Sequence, residues 1–373
     1  MRQLVRQFLQ LESASSIILF LAVLMAFVWE NSPLAPFYQL FVKVSLFGIN
    51  EGLMAIFFFL IGLELKRGFL EGELAQLSQV GLPAIAAVGG MVMPALIYLL
   101  FNSHHPATAK AWATPVATDI AFALGVLSLF KNVPWGLKLF LLALAIFDDI
   151  GAILIIAFFY SHHLSYAWLF QAGTLVVVLY LFNRLEITQG MLYVLVGVGL
   201  WLCLLFSGIH PTIAGILLAL MIPTQGDKKS LLKRMEKHLH PWVAYFIMPL
   251  FALANAGFPL QAISWDLLLD PLVMGIVFGL FIGKQLGIFC FSWALIQTGL
   301  ARLPLHASWL MLYGISLLCG MGFTMSLFLG TLSFQNEPLY LTKVRFGVIL
   351  ASCVSGMIGA IVLRIAFTKR SKE

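Results

Sequence analysis

Two adjacent carboxylates lie in the middle of an apolar run, and no other feature constrains this chain as strongly. Seven apolar residues precede Asp148 and Asp149, and the residues that follow through Phe159 are equally apolar. The run is long enough to cross a bilayer as a helix. An aspartate at the centre of a transmembrane helix costs about 2.5–3.5 kcal/mol on insertion scales, so two in succession indicate a functional centre. The alternative, an Asp pair in an interfacial turn, conflicts with these apolar flanks.

The composition is that of a membrane protein. Hydrophobic residues make up 61% of the 373 residues and charged residues only 10%, which excludes an ordinary soluble domain. At about 20 residues per helix plus short loops, this length allows roughly 11–13 crossings. We therefore expect an all-α polytopic fold of about twelve transmembrane helices, organised as a single integral membrane domain over residues 1–373.

The twelve predicted spans have a strong charge asymmetry in their loops. The spans cover residues 13–30, 46–65, 80–101, 107–130, 135–160, 165–183, 188–205, 208–223, 240–258, 271–297, 306–333 and 341–367. With the N-terminus in the cytoplasm, the inner loops hold seventeen basic residues: Arg2, Arg6, Lys66, Arg67, Lys131, Lys138, Arg184, Lys228, Lys229, Lys233, Arg234, Lys237, Arg302, Arg364, Lys369, Arg370 and Lys372. The outer loops hold four: Lys43, Lys110, Lys343 and Arg345. The positive-inside rule therefore predicts that both termini are cytoplasmic.

The remaining compositional features argue against other classes of protein. The net charge of +6 comes from short inter-span loops, so the lipid bilayer is the expected partner and nucleic acid is not. The cysteines lie in apolar runs without C-x-x-C spacing, which is typical of packing residues; they are Cys203, Cys290, Cys319 and Cys353. A basic start followed by an apolar run without an A-x-A cleavage site predicts an uncleaved first span.

Two of the predicted spans are poor continuous helices. The fourth has Pro115, Thr118 and Asp119 at mid-depth, and proline disfavours helix immediately before it. The eleventh is rich in glycine and hydroxyl residues over 314–330. Paired interrupted segments point to an inverted-repeat transporter, with core repeats in spans 3–5 and 10–12, roughly residues 80–160 and 271–367, and the other spans as panel helices. A proline kink and a glycine-rich packing face are the alternative.

Charged residues at membrane depth match the expected helix interruptions. A broken helix exposes partial positive charge at an N-terminus and partial negative charge at a C-terminus, and Asp119 and Lys284 carry the signs that balance them. Lys284 has apolar residues on both sides. An internal lysine needs a counter-charge, for which Asp148 or Asp149 is the natural candidate; snorkelling to an interface is the alternative.

Further candidate residues lie near the ends of spans. Glu51 and Glu64 bracket the apolar core of span 2, where either is also compatible with an interfacial position. His210 lies where a short outer turn meets span 8, and a turn histidine and a proton sensor remain alternatives. Loop 8–9 is basic, as expected near anionic lipid. That does not explain its glutamate and histidines, Glu236, His238 and His240.

Five motifs in order along the chain carry a family resemblance. They cover residues 62–67, 113–125, 145–152, 240–257 and 283–287. Together they resemble the NhaA family of bacterial Na⁺/H⁺ antiporters over essentially the whole chain. The resemblance implies an electrogenic, pH-regulated secondary transporter of the cell inner membrane, not an enzyme, which exports Na⁺ or Li⁺ in exchange for H⁺ and needs no cofactor. It also implies that spans 4 and 11 are broken and cross at mid-membrane.

The resemblance assigns roles to individual residues. Asp149 and Asp148 would be the cation and proton carboxylates and Thr118 a neighbour of the cation. Asp119 and Lys284 would balance the helix ends, with Lys284 paired to Asp148. The expected pH-sensing region comprises Glu64, Arg67, Lys233, Glu236 and His240, with Glu51 and His210 as further candidates.

Three departures from the family pattern accompany these assignments. Glu51 stands where an aspartate is usual, and Gln225 stands where an acidic residue can occur. The segment 31–46, read as a loop, is shorter than in members that dimerise through a β-hairpin there, so a homodimer stays open.

Charge counting predicts how such an exchanger would work. If both carboxylates are protonated when the cation leaves, more positive charge enters than leaves, and the membrane potential drives export. If Lys284 pairs with Asp148, the second proton can reside on the lysine instead.

The rival functions are an intramembrane aspartyl protease and a passive cation channel. The protease reading lacks a G-x-G-D segment and gives Lys284 no role, and a buried Lys with an Asp pair suits proton exchange better than a channel.

Overall fold

The computed structural model describes residues 14–71, 77–130, 133–161, 164–224, 230–335 and 337–370, and their regular structure is helical. Within these ranges, seven helices are long and apolar enough to cross a membrane, or eight if one bent pair counts as a span. The all-α polytopic fold is thus confirmed, while the number twelve stays a prediction. Outside the described residues lie several residues discussed above: Arg2, Arg6, Lys131, Gln225, Lys228, Lys229 and Lys372.

The α-helices are numbered in chain order. They are α1 Ala14–Glu30, α2 Ala35–Phe47, α3 Met54–Glu71, α4 Leu77–Asn102, α5 Pro106–Ala109, α6 Ile120–Ser128, α7 Trp135–Phe159, α8 Tyr166–Arg184, α9 Gly190–Ser207, α10 Ile213–Met221, α11 Leu231–Trp242, α12 Met248–Asn255, α13 Trp265–Leu268, α14 Pro271–Phe278, α15 Lys284–Gln297, α16 Trp309–Leu318, α17 Phe323–Ser333 and α18 Pro338–Arg370. Three π-helical turns, Gly48–Leu53, Val243–Ile247 and Gly279–Gly283, join neighbouring helices without a loop.

The segment after the first span is helical, so its reading as a loop over 31–46 is wrong. Only residues 31–34 form a turn, and α2 begins at Ala35. Pro36 falls in the first helical turn, where its missing N–H costs nothing. Through the π-helical turn Gly48–Leu53, α2 continues into α3.

The charged segment before span 9 is also a helix, where the sequence reading placed a loop. Ser230 caps α11, accepting a hydrogen bond from the Lys233 N–H at 3.3 Å. Leu231 and Leu232 are buried, with Met235 and Leu239 packed against the same hydrophobic cluster. This apolar stripe at helical spacing explains the helix; the polar composition alone was misleading.

Both predicted interruptions are present. In the fourth span, residues 110–119 between α5 and α6 are non-helical, which is more than a proline kink. In the eleventh span, α16 and α17 meet at an angle of 42° across a four-residue break. Pro115 lies within the first break and Gly320 and Gly322 within the second, consistent with their weak helix propensity.

The chain divides into two compact units. The first unit comprises Met1–Gln39, Gln76–Ala152 and Asn255–Glu373 and contains both interrupted spans and the aspartate pair. Within it α15 packs closely on α4: a Cβ added at Gly287 would collide with the carbonyl oxygen of Gly89. Only glycine permits this approach.

The second unit comprises Leu40–Ala75 and Ile153–Ala254. Its short helix α10 ends in carbonyl groups that lack helical partners. Lys66, counted above among the inner-loop charges, lies on α3 and donates from Nζ to the carbonyls of Leu220 at 2.5 Å and Ile222 at 2.6 Å. Asn183 on α8 donates to the Met221 carbonyl at 2.9 Å. Three side-chain bonds therefore terminate this helix.

Candidate functional site

The centre of the first unit is the carboxylate of Asp148 on α7. Lys284 Nζ lies 2.5 Å from Asp148 Oδ2, and both side chains are fully buried. The hydroxyl of Thr118, at the end of the first break, lies 2.6 Å from the same oxygen. The structure thus places Lys284 on Asp148 rather than on Asp149. Breaking a buried ion pair leaves a stranded charge, which makes this contact structurally costly to remove.

The second oxygen of this carboxylate has a different environment. Asp148 Oδ1 is buried and has no hydrogen-bond partner among the described residues. Leaving a buried acceptor unsatisfied is costly, and a hard cation prefers oxygen ligands of this kind. Asp149, the next residue, is 6% exposed and points about 100° further around the helix. The oxygens of the two carboxylates therefore have the chemistry to bind a small hard cation.

Thr118 connects Asp148 to the second break. Its hydroxyl lies 2.9 Å from the carbonyl of Cys319, the C-terminal cap of α16, as well as 2.6 Å from Asp148 Oδ2. A threonine hydroxyl carries a single proton. It can donate to one of these two oxygens but not fully to both.

Asp119 caps two helices at once. Its Oδ1 accepts from the N–H groups of Ala121 at 3.0 Å and Phe122 at 3.2 Å at the start of α6. Its Oδ2 accepts from the Thr324 N–H at 3.0 Å and from the Thr324 hydroxyl, at the start of α17. The Asp119 N–H itself donates to the Met321 carbonyl at 2.7 Å. The Asp119 carboxylate therefore lies at the partial positive charge of two helix N-termini.

Lys284 is the first residue of α15 and follows the π-helical turn Gly279–Gly283 directly. Its backbone N–H bonds to the Gly279 carbonyl, five residues earlier. When a π-helical turn interrupts an α-helix, it often does so at a functional site.

The expected pH-sensing residues come together on α3 and α11 of the second unit. Arg67 Nε lies 2.9 Å from Glu236 Oε2, and Glu64 interacts electrostatically with both residues. An open cleft of about 410 Å³ is lined by Arg67, Lys233, Glu236, Lys237, His240 and Pro241. Positions 233, 236, 237 and 240 share one face of α11. The structure therefore assembles all five residues that the sequence suggested, and adds Lys237.

The two further candidates, Glu51 and His210, form one pair within the second unit. His210 Nε2 lies 3.3 Å from Glu51 Oε2, with the histidine side chain 5% exposed. His210 Nδ1 lies 2.7 Å from the Thr212 hydroxyl, and the Trp201 indole N–H donates to the Glu51 carbonyl at 3.0 Å. This environment favours neither of the two readings of His210 over the other.

Sequence reasoning missed the partners that these residues use. Thr324 and the Cys319 carbonyl were not singled out, although the glycine- and hydroxyl-rich run 314–330 had marked their segment. A backbone carbonyl has no signature in a sequence, because every residue carries one. No sequence pattern indicates the Glu51–His210 pair or the side chains that cap α10, because the residues involved are distant along the chain.

Comparisons with known proteins agree on one family. Residues 6–363 match the family model of Na⁺/H⁺ antiporter 1. A Syntrophotalea carbinolica protein named Na(+)/H(+) antiporter NhaA 1 is 50% identical, covering 99% of this chain and 98% of the relative. Na(+)/H(+) antiporter NhaA 2 of Pseudomonas savastanoi pv. phaseolicola is 50% identical, covering 96% and 94%. Na(+)/H(+) antiporter NhaA of Yersinia enterocolitica is 47% identical, covering 98% of both.

Proposed function

The chain belongs to the Na⁺/H⁺ antiporter 1 family, and from that premise we propose that it exports Na⁺ or Li⁺ across the bacterial inner membrane in exchange for protons, electrogenically and under pH control. The family is one of secondary transporters rather than enzymes. The observation that carries the proposal is the buried arrangement at Asp148, where a lysine and a threonine hydroxyl share one carboxylate oxygen. Such an arrangement can exchange a cation for protons.

The cation is bound by oxygens around the aspartate pair. Asp149 supplies a carboxylate, Asp148 supplies its unpartnered Oδ1, and Thr118 supplies a hydroxyl oxygen. Bound in this way, Na⁺ and H⁺ compete for the same carboxylates, so transport depends on pH.

Proton binding completes the cycle. When the cation leaves, protons occupy the site it vacates. One protonates Asp149, and the second resides either on Asp148 or on Lys284, which pairs with Asp148 in the cation-free site. In both schemes two protons enter for each cation that leaves, so one net charge crosses per cycle.

The remaining parts of the proposal follow from charge distribution. The excess of basic residues in the inner loops places both termini in the cytoplasm. The cleft on α11 then faces the cytoplasm, where Glu64, Glu236 and His240, with Arg67 and Lys233, sense pH.

The oligomeric state is open to a homodimer. Its contact would differ from a hairpin in the segment 31–46, because α2 occupies most of that segment.

The rival functions fit the site less well. An aspartyl protease would need a free carboxylate at Asp119, but four donors from two helix ends already bind its oxygens. A passive channel would conduct without a partner ion, which gives the buried Lys284–Asp148 pair no role. Coupled exchange uses both carboxylates and the lysine.

The test is cation-dependent proton flux in inverted membrane vesicles with an imposed pH gradient. Addition of Na⁺ or Li⁺ should dissipate the gradient for the wild type, because protons leave the vesicle as the cation enters. Asp149→Asn and Asp148→Asn keep the side-chain shape and remove the titratable charge, so exchange should collapse although the protein still inserts. Asp266→Asn, at an exposed carboxylate, is the matched control. Near-normal flux in Asp149→Asn would rule out the site, and no flux in the wild type would rule out the function.

A further inference from the structure

The direction in which Lys284 points depends on the π-helical turn that precedes it. In Gly279–Gly283 the hydrogen bonds run to the fifth residue back, and the last is made by the Lys284 N–H. Such a turn inserts one residue relative to an α-helix, and one residue corresponds to about 100° around the axis. If the turn relaxed to α-helix, the ammonium group would face a different side of α15. Contacts with other side chains must therefore stabilise the π-helical turn.

A buried side chain next to Lys284 holds the turn from within. Gln285 is 8% exposed, and its Nε2 donates to the Phe281 carbonyl inside the turn at 2.7 Å. Since only the amide nitrogen can donate to a carbonyl, the orientation of this amide is determined. Its oxygen is thereby directed away from the turn.

That amide oxygen is bound by the neighbouring helix. The hydroxyl of Tyr313 on α16 donates to Gln285 Oε1 at 2.5 Å, and the Tyr313 ring stands edge-on to Phe289 of α15 at 5.5 Å between centroids. The end of the turn also packs closely on α4, because a Cβ added at Gly283 would lie 2.6 Å from the Cα of Pro94. The π-helical turn is therefore held between α4 and α16.

The contact closes a ring of interactions around the ion pair. Tyr313 lies on the helix that ends at Cys319, whose carbonyl contacts Thr118. Thr118 contacts the same Asp148 oxygen that holds Lys284. The helix α16 is thus tied to Lys284 by two routes, one through Asp148 and Thr118 and one through Gln285.

We propose that Gln285 and Tyr313 are positioning residues that hold the Lys284 ammonium on Asp148. The inference rests on the transport function proposed above. Lys284 and the transported cation compete for the same carboxylate, so a firmly held ammonium stabilises the cation-free site against Na⁺. Loosening the hold lets Na⁺ displace the ammonium at a lower concentration.

The experiment compares three variants of the full chain in proteoliposomes, with Na⁺-dependent proton flux at fixed pH. Tyr313→Phe removes one hydroxyl, and Gln285→Met removes the amide at similar length. Each should lower the apparent KM for Na⁺ by about three- to tenfold, the range expected for one lost hydrogen bond. The double variant should lower KM no further than Gln285→Met alone, because that variant already lacks the contact with Tyr313.

The matched control is Tyr98→Phe, which removes the hydroxyl of another buried tyrosine, bonded at 2.7 Å to the Thr108 carbonyl. It should lower the melting temperature without changing KM. An unchanged or raised KM in Tyr313→Phe, an equal shift in the control, or additive effects in the double variant would overturn the inference. Should Gln285→Met fail to fold, Tyr313→Phe decides alone. Absence of exchange in the wild type would overturn the proposed function itself, and this inference with it.

Discussion

At the residue scale, the hydroxyl of Thr118 has one proton for two acceptors, Asp148 Oδ2 and the Cys319 carbonyl. If Asp148 is ionised, the hydroxyl can satisfy only one of them. If Asp148 carries a proton on Oδ2, it can donate to Thr118, which in turn donates to the Cys319 carbonyl, so that the hydroxyl makes a hydrogen bond with both oxygens. The orientation of this hydroxyl is therefore coupled to the proton on Asp148.

This coupling predicts opposite results for two substitutions of Thr118. Thr118→Ser keeps the hydroxyl and should retain most of the exchange activity. Thr118→Val keeps the shape but removes the hydroxyl, and with it both contacts and the proposed cation ligand, so the activity should fall by about tenfold or more. The measurement is the initial rate of Na⁺-dependent proton flux with matched amounts of inserted protein. Equal activity of the two variants would show that the hydroxyl is dispensable.

The Lys284–Asp148 pair predicts that substitutions of its two residues have non-additive effects on the free energy of unfolding. Removing one member of a buried pair typically costs about 3–5 kcal/mol, because it strands the other charge. Lys284→Ala and Asp148→Asn should each destabilise the folded protein, while the double variant should lose less than the sum. Lys284→Arg should keep much of the stability, with a shifted cation affinity. Thermal unfolding in detergent measures all four, and strictly additive losses would contradict an energetic pairing.

At the scale of elements, the π-helical turns lie beside the candidate residues. Glu51 lies within the first turn, α11 with His240 runs directly into the second, and Lys284 follows the third. A turn of this kind redirects the side chains after it without ending the helix. A charged side chain after the turn can thereby point into the protein interior, even when the rest of the helix faces lipid.

The charged face of α11 predicts a regulatory rather than a catalytic effect. His240 and Glu236 line an open cleft, and histidine titrates in the physiological range. Replacing His240 with Gln, or Glu236 with Gln, should shift the pH of half-maximal exchange by about 0.5–1 unit, with a smaller change in maximal rate.

The control for this prediction is Arg302→Gln, an exposed basic residue that does not line the cleft. Proton flux across a series of pH values is the measurement. An unchanged pH profile in both variants would contradict the pH-sensing role of α11 and leave only the interpretation as a basic helix near anionic lipid.

At the scale of the whole molecule, the charge moved per cycle distinguishes coupling schemes. With two protons entering for each cation exported, one net charge crosses, and a potential of 100 mV contributes about 2.3 kcal/mol per charge. A potassium diffusion potential with valinomycin, oriented as in the cell, should therefore accelerate Na⁺ export from proteoliposomes. An exchange rate that ignores the potential would indicate one-for-one, electroneutral exchange.

The sequence by itself determined the class of protein. Apolar length decides which segments can cross a bilayer, and the insertion cost of Asp148 and Asp149 predicts that they are functional, because both properties are local. The interruption at Pro115 was readable for the same reason. Where composition was the only guide, at α2 and α11, the prediction failed, since a short segment such as α2 and a polar segment with an N-cap such as α11 can both form a helix.

Only the tertiary structure decided which side chains meet. The charge argument left Asp148 and Asp149 as equal partners for Lys284, and the family resemblance implied Asp148. The fold places Lys284 on Asp148, 136 residues away along the chain. The same holds for Thr324 on Asp119, 205 residues apart, and for His210 on Glu51. A hydrogen bond or ion pair depends on distances of a few ångströms between elements. Those distances are set by how the helices pack together, which no local pattern of residues records.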